Sequence, residues 1–580
     1  VEGVGLGALV ALIAWFLRAS WRKWPDPIID SGPQWYAIWR TSLGALPYHD
    51  FDWYYGPASL LFNGLLFKCF GPGMMVLAVA NLLVYAAIVA LAYLAFRAAW
   101  GPLGAFAALA VFISVFSFSM VNAVGNYNYV LPYSNEATHG ILLVLLTAFA
   151  AARWCERPSC LGAILLGLCG GMAAVLKPEF MLACGVLGMA ALAMRYMQRQ
   201  PVKLSEYGCL AAGVVLPTLL FSLWFARKES FAAAIVDTCQ AWWLLMFRRP
   251  GVVIEETGYM GTDNGWRNVW WELAAALSAV LIIGSIWAMG WFVNRPWPKL
   301  VRWSAAAAAC FLACSVDMGG GFEIGPCFPG LIAVILVVAG ARLIREWRSN
   351  GKIDRGRVLQ LFLVLLSAAL LVRMVLRARI NHFGFIQAAF AGMVAAAFIV
   401  AEVPRWTGEG KWGRRVAMTG MFVLLILGCG KVVADSAKNH ATQTQPVGDG
   451  ADRFYAYNAS LDETGATIYW CARQMQQVAP TNTLLVLPEG VMINYLSRHP
   501  RPMREFVSDE PAYVRQLSQA KPDYVIRIWG DQRDGGMRRF GDPGQPGEQI
   551  RAWLDDNYTV VNMKRGQSKW AIILRRKAAH

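Results

Sequence analysis

Residues 47–57 read PYHDFDWYYGP, with two carboxylates, Asp50 and Asp52, set two apart among aromatic rings and beside His49. An Asp-x-Asp pair on extended chain offers oxygen ligands that could share Mg²⁺ or Mn²⁺. It could equally bind sugar or acceptor hydroxyls while Tyr55 and its neighbouring rings stack on a sugar face, or only staple a turn between two helices. Three other clusters carry chemistry. Asp30 ends PDPIID. Glu136 sits in NYNYVLPYSNEATHG, with His139 one turn later. Lys177 and Glu179 interrupt apolar sequence in AVLKPEFM, and VRMVLRARINHFGF supplies Arg373, Arg377, Arg379 and His382.

A carboxylate can take the proton of an attacking hydroxyl, and Lys or Arg can receive the charge that develops on a leaving phosphate. Arginine does this in bidentate fashion. Helical spacing would put Arg373 and Arg377 on one face. Each cluster also has a plain reading. Asp30 and Glu136 suit helix starts as caps or dipole partners, His139 suits the membrane interface, and Lys177 with Glu179 suits a solvated ion pair in a turn.

The elements that must position these residues are membrane helices. Of 580 residues, 57% are hydrophobic and only 16% charged, too few charges to cover a soluble protein of this length. The 25 tryptophans and 19 tyrosines fit a chain with two membrane–water interfaces. Apolar runs occur about thirteen times, near 4–18, 73–97, 102–121, 138–153, 160–176, 179–195, 206–226, 269–292, 303–317, 324–342, 358–377, 384–402 and 413–433. The net charge of +16 points to basic cytoplasmic loops rather than to nucleic acid. The basic loops around 153–157, 195–203, 295–302, 342–357 and 405–415 fall on one side, which the positive-inside rule makes cytoplasmic. The N-terminus is then cytoplasmic. The loops 19–72, 122–137, 177–179, 227–268, 318–323 and 378–383, with everything after 433, lie outside. Arg18, Arg22 and Lys23 break the rule. Within the first outer loop, GPQWYAIWRTSLG and YYGPASLLFNGLLFKCFG read as amphipathic helices lying in the interface.

The 12 cysteines fall mostly inside apolar runs and read as small hydrophobes; no disulfide framework or zinc spacing is visible. After 433, ATQTQPVGDGADR reads as a linker. Alternating strand-like and helix-like stretches follow, from TLLVLPEGVMINYLS to KWAIILRR, with no phosphate-binding glycine motif. The expected architecture is an all-α polytopic membrane domain over 1–433 and a small α/β extracytoplasmic domain over 434–580.

Asp30, Tyr36, Pro47-Tyr48, Asp50-Phe51 and Tyr55-Gly56-Pro57, followed by about a dozen spans and an outer domain carrying LPEGVMINYL, resemble the GT-C lipid-linked-sugar glycosyltransferases. The resemblance is to the bacterial dolichyl-phosphate-mannose protein mannosyltransferase-like branch, family 39, and covers essentially the whole chain. It departs at Asp30-Ser31, where protein mannosyltransferases carry Asp-Glu. It implies an inverting transferase that moves a sugar from a polyprenyl-phosphate carrier to a glycan, lipid or protein acceptor outside a bacterial inner membrane. Asp30 and Glu136 are then the catalytic candidates. Asp50, Asp52, Tyr55, Lys177, Glu179, Arg373, Arg377, Arg379 and His382 are the substrate-binding candidates. A lipid monophosphate donor has less need of a metal than a nucleotide diphosphate, so no cofactor is expected, Mg²⁺ or Mn²⁺ at Asp50 and Asp52 being the alternative. A polyprenyl-linked sugar flippase, or a non-catalytic assembly subunit, is the competing function. A flippase would favour charges at mid-membrane and internal repeats.

Overall fold

The computed structural model describes residues 2–23, 31–121, 127–247, 260–318, 324–351, 353–382, 384–503, 509–529, 540–567 and 569–578. Every one of the expected apolar runs coincides with a helix. Among the described residues, ten helical elements are long and apolar enough to cross a membrane. The difference from thirteen has local causes. Cys160–Ala174 is a shorter apolar helix, Lys299–Met318 is not among the ten, and two runs are joined in one element, Met74–Ser117. That element is two helices in fact. Gly101 has φ 78 and ψ 178, and Pro102 follows it. The rings of Tyr85 and Phe112 lie 6.1 Å apart and those of Tyr93 and Phe106 5.8 Å. A straight helix would separate Tyr85 from Phe112 by about 40 Å, so the chain folds back at Gly101 as a tight hairpin.

The connections gather at two ends. At one end, the amide of Gly56 donates to Leu176 O (3.0 Å), Asn439 donates to Met120 O (2.6 Å), and the amide of Tyr455 donates to Arg22 O (2.7 Å). This end therefore collects the described residues of 22–23, 31–72, 118–121, 127–136, 175–179 and 439–456. At the other, Arg97 pairs with Glu2 (2.7 Å), Trp347 donates to Met197 O (2.9 Å), Arg355 pairs with Glu156 (3.5 Å) and Asn294 donates to Thr407 O (3.1 Å). The basic loops share this second end. Arg22 and Lys23, which break the charge rule, are used structurally. Lys23 donates to His440 O (2.8 Å) and Arg22 to Gly450 O (3.3 Å), tying the end of the first span to the chain after the last.

The helices used below are α1 (Glu2–Ser20), α2 (Ser31–Ser42), α3 (Pro57–Phe70), α4 (Met74–Val111), α5 (Asn135–Glu156), α6 (Cys160–Ala174) and α7 (Pro178–Met197). Both segments expected to be interfacial amphipathic helices are helical; α3 exposes Phe62, Leu65 and Phe70 and buries Ser59, Leu60, Asn63 and Phe67. The interfacial expectation fails for α2. Every residue from Trp35 to Trp39 is buried, because the C-terminal domain covers the face that would otherwise meet solvent.

The last spanning helix runs to Thr442, beyond the expected end at 433. The stretch read as a linker instead forms a two-stranded antiparallel ribbon of β1 (Gln445–Val447) and β2 (Phe454–Ala456). A four-stranded sheet follows in the order β3-β4-β6-β5, built from β3 (Leu484–Leu487), β4 (Tyr524–Trp529), β5 (Tyr558–Arg565) and β6 (Trp570–Arg576). β3 and β4 run parallel and the other pairs antiparallel. One face of the sheet packs Leu485, Leu487, Val525 and Leu574 against the helices Glu510–Ala520 and Glu548–Asn557. The other face, with Val486, Ile526 and Ile573, shares a core with Ile468, Tyr495, Trp35 and the membrane helices. The ring of Trp35 lies 6.0 Å from those of Phe454 and Tyr495. Asp452 accepts from Tyr495 (2.8 Å), Arg498 (2.6 Å) and the first backbone amide of α4 (3.0 Å), so one carboxylate satisfies an orphan helix donor and both neighbouring side chains.

His499 is fully buried in this domain, bonded to the Ser497 hydroxyl and the Ala479 carbonyl, both at 3.1 Å. Burial holds its pKa below the ordinary value. The unfolded chain therefore binds the proton first as pH falls. The contribution of His499 to stability is intact above about pH 6.5 and is lost progressively below it, toward the folded pKa. Thermal unfolding of the detergent-solubilised protein should show a smaller loss between pH 7 and pH 5 in His499→Gln than in wild type. Parallel curves would remove His499 from the acid response.

Candidate functional site

Asp30 lies outside the described residues. The helix that follows it, α2, carries Gln34 one turn in, and Gln34 leads to the site. Its amide nitrogen donates to Glu136 Oε2 (3.1 Å), its carbonyl accepts from Asn135 (3.1 Å), and Asn135 accepts in turn from Asn81 (3.1 Å). All four side chains are buried. Ser134 caps α5 by position, but its hydroxyl bonds to Glu136 Oε2 (3.1 Å) rather than to the helix. Glu136 Oε1 is buried and has no hydrogen-bond partner among the described residues.

Glu206 makes an instructive contrast. It is a carboxylate equally buried at the opposite end, and both its oxygens are occupied. Oε1 accepts from Trp154 (2.9 Å) and Arg195 (2.8 Å), and Oε2 from Arg195 (3.1 Å) and the backbone of Lys203 (3.0 Å). Leaving a buried acceptor unmatched costs about 1–3 kcal/mol. Both oxygens of Glu206 are thus matched within the fold, whereas Glu136 Oε1 is not matched by any described residue.

Beside Glu136 stands a knot of opposite charges. Lys177, 6% exposed, reaches Glu179 at 3.3 Å, and Arg373 bonds to the same carboxylate. Gln387 donates to it at 2.8 Å. Lys177 is also within coulombic reach of Glu136 and lies 4.7 Å over the Tyr55 ring. The pair is thus buried, not solvated. Three elements deliver it: the α6–α7 turn, the end of the helix Arg355–Leu371, and the 3₁₀ turn Phe385–Ala388.

The arginine run divides. The helix ends at Leu371 and passes through a 3₁₀ turn over Val372–Met374, so Arg377 does not share a helix face with Arg373. Arg377 and Arg379 instead gather in a separate cluster with Glu272 and Trp271, Arg379 lying 4.3 Å over the Trp271 ring. His382 accepts from the Gly384 amide (2.8 Å), closing its own turn. His139 shares a 2.6 Å hydrogen bond with Ser59 and leaves Nε2 buried without a partner among the described residues.

Asp50 and Asp52 line a shallow cleft with Pro33, Tyr36, Phe51, Val491 and Arg501. Asp50 closes its own turn by accepting from the Leu46 amide (2.7 Å), and it meets His49 at 3.0 Å. Burial pushes its carboxyl upward, but these hydrogen bonds prevail and hold it below the usual carboxylate value. The Tyr36 hydroxyl accepts from the Arg501 amide (2.9 Å), bridging α2 to the C-terminal domain across this cleft. Among the described residues no group of three or more His, Cys, Asp or Glu side chains is placed to hold a metal ion.

Gln34, Asn81, Asn135 and Gln387 were absent from the sequence-based set. The available signal was an amide side chain inside or beside an apolar run, where polar groups are retained for a reason.

No family model matches the sequence, and no curated protein does. Among solved structures, an oligosaccharyltransferase of Archaeoglobus fulgidus tethered with an acceptor peptide is similar at TM-score 0.47 and 12% identity, over 90% of this chain and 68% of that one. ArnT from Cupriavidus metallidurans bound to undecaprenyl phosphate is similar at TM-score 0.38 and 12% identity, over 98% of this chain and 97% of that one. Likenesses of this strength decide nothing about the reaction.

Gly56 fixes the distance between the 47–57 loop and Lys177. A Cβ there would lie 2.1 Å from Val175 O, a backbone atom held by its helix. Gly56→Ala should destabilise the protein by about 1–3 kcal/mol through overpacking. Gly185→Ala, in α7 with open space around it, should be neutral or slightly stabilising. Thermal midpoints measured side by side test this; equal midpoints would show that the Gly56 contact is not constraining.

Proposed function

We propose that this chain is an integral-membrane inverting glycosyltransferase that moves a sugar from a polyprenyl-phosphate carrier to a hydroxyl-bearing glycan, lipid or protein acceptor outside a bacterial inner membrane. The observation that carries the reading is Glu136, buried with one oxygen lacking a partner among the described residues and within coulombic reach of Lys177, which together with Arg373 from a separate element meets Glu179. Such a site suits a ligand that presents hydroxyls to a carboxylate and a phosphate to Lys177 and Arg373. The sequence resemblance supports the same reaction. The charge knot lies at the loop end of the helix bundle, where a transferase acting at the membrane surface would need it and a flippase would not.

In the proposed reaction the acceptor oxygen attacks the anomeric carbon from the face opposite the phosphate. The acceptor's proton passes to Asp30, the anomeric carbon–oxygen bond breaks, and its electron pair leaves with the phosphate. Glu136, held by Gln34 and Ser134, orients sugar or acceptor hydroxyls. Lys177 and Arg373 receive the phosphate charge. Asp50, Asp52 and Tyr36 form the acceptor's approach between α2 and the C-terminal domain. The basic loops are cytoplasmic in this arrangement, and the end carrying the C-terminal domain faces outward.

Purified protein incubated with a panel of polyprenyl-phosphate sugars should consume one of them. With that donor, Asp30→Asn should lower turnover by about 10²–10⁴-fold with donor affinity little changed. A helix cap would predict near-silence, since Asn caps nearly as well as Asp. Near-normal turnover in Asp30→Asn would move the base to Glu136, Asp50 or Asp52. In intact cells an impermeant thiol reagent should label Ser460→Cys and spare Asn350→Cys, in a background without reactive native cysteines. The reverse pattern would invert the orientation.

A further inference from the structure

Glu179 occupies the place where the proposed reading puts an anion from the substrate. Its carboxylate receives Lys177 at 3.3 Å, Gln387 at 2.8 Å and Arg373, three donors from three elements converging on one anion. The donors are held independently of Glu179. Lys177 stands over Tyr55 and starts α7, Arg373 ends its own helix, and Gln387 belongs to the 3₁₀ turn beyond. Gln387 Oε1 is buried and has no partner among the described residues, so this amide is not saturated by the internal carboxylate.

The chemistry of transfer makes such a placeholder useful. A polyprenyl-phosphate sugar is a phosphodiester with one negative charge. Transfer breaks the bond from anomeric carbon to phosphate oxygen and leaves a phosphate monoester, whose second pKa is about 6. Near neutral pH the product carries nearly one more negative charge than the donor. Buried Lys177 and partly buried Arg373, without a competitor, would therefore hold the product more tightly than the substrate, and release of carrier would limit turnover.

We propose that Glu179 is a displaceable internal anion of the phosphate site. It yields Lys177 and Arg373 to the donor's phosphate and returns to them to expel the free carrier. Glu179 is a positioning residue here, acting through the two cations and not on the reacting atoms. This rests on the glycosyltransferase reading and adds to it the means of product release.

The test is the binding of a polyprenyl phosphate in detergent micelles to the full-length protein, with the corresponding polyprenol as the phosphate-free control. Wild type should prefer the phosphate over the alcohol. Glu179→Gln should bind the phosphate about tenfold tighter, through slower dissociation, since a competing full charge at contact distance has been removed. Glu179→Asp keeps the charge but withdraws it by one methylene, and should fall between the two; it serves also if the Gln variant does not fold. Affinity for the alcohol should not change in either. Weaker or unchanged phosphate binding in the variants, with wild type still preferring phosphate, would overturn the displaceable role and make Glu179 a structural counter-ion. A wild type that binds phosphate and alcohol alike would overturn the phosphate site itself, and with it the reading on which this proposal rests.

Discussion

Two cations and a carboxylate cannot be taken from water separately without a cost of several kcal/mol each. In this protein Lys177, Glu179 and Arg373 are withdrawn together, and that single requirement draws three distant stretches of chain to one point. The turn between α6 and α7 must meet the end of the helix Arg355–Leu371, and the 3₁₀ turn Phe385–Ala388 must close over both to supply Gln387. The 47–57 loop is pinned to the same turn by the Gly56 amide, which leaves Tyr55 beneath the Lys177 ammonium. The end of the bundle that carries this charge cluster is thus organised by electrostatics, while the helices that lead to it are organised by apolar packing.

The C-terminal domain is part of that arrangement. Its sheet turns one face to its own helices and the other into a core that continues, through Tyr495, Phe454 and Trp35, into the membrane helices. α2 lies in the seam, and it presents Gln34 to Glu136 on one side and Tyr36 to Arg501 on the other. A shift of the C-terminal domain would therefore be felt at Glu136 through α2. Asp452, which holds Tyr495, Arg498 and the start of α4 at once, is the polar fastening of this seam.

The two ends of the bundle use buried charge differently. At the basic-loop end Glu206 has both oxygens occupied, and Glu402 accepts from Arg342 near Gln360 and Arg357. At the opposite end Glu136, His139 and Gln387 each leave a polar atom buried without a partner among the described residues. Native folds satisfy the great majority of such atoms. Arg195 Nε, beside Glu206, is a further exception at the basic-loop end, so the contrast lies in the carboxylates themselves: both oxygens of Glu206 are filled, whereas Glu136 Oε1 has no partner among the described residues.

The sequence by itself determined the helices and their grouping. Apolar length is read directly because a backbone in hydrocarbon must satisfy its own hydrogen bonds, so each long apolar run had to be a helix. The sidedness of the basic loops followed from where charge can sit. The clusters around Glu136, Lys177, Glu179 and Arg373 were legible as charge out of place in apolar surroundings. Tertiary structure alone decided the rest. It separated Arg373 from Arg377 by ending the helix at Leu371, before either of them, a boundary that local pattern does not encode. It buried α2 all round, since the domain that covers it lies more than 400 residues away in the chain. It supplied Gln34, Asn81, Asn135 and Gln387, whose amides look unremarkable until their partners are known. It also left one oxygen of Glu136 without a partner among the described residues. Which oxygens of a buried carboxylate are filled depends on donors converging from several elements, and no local stretch of sequence carries that information.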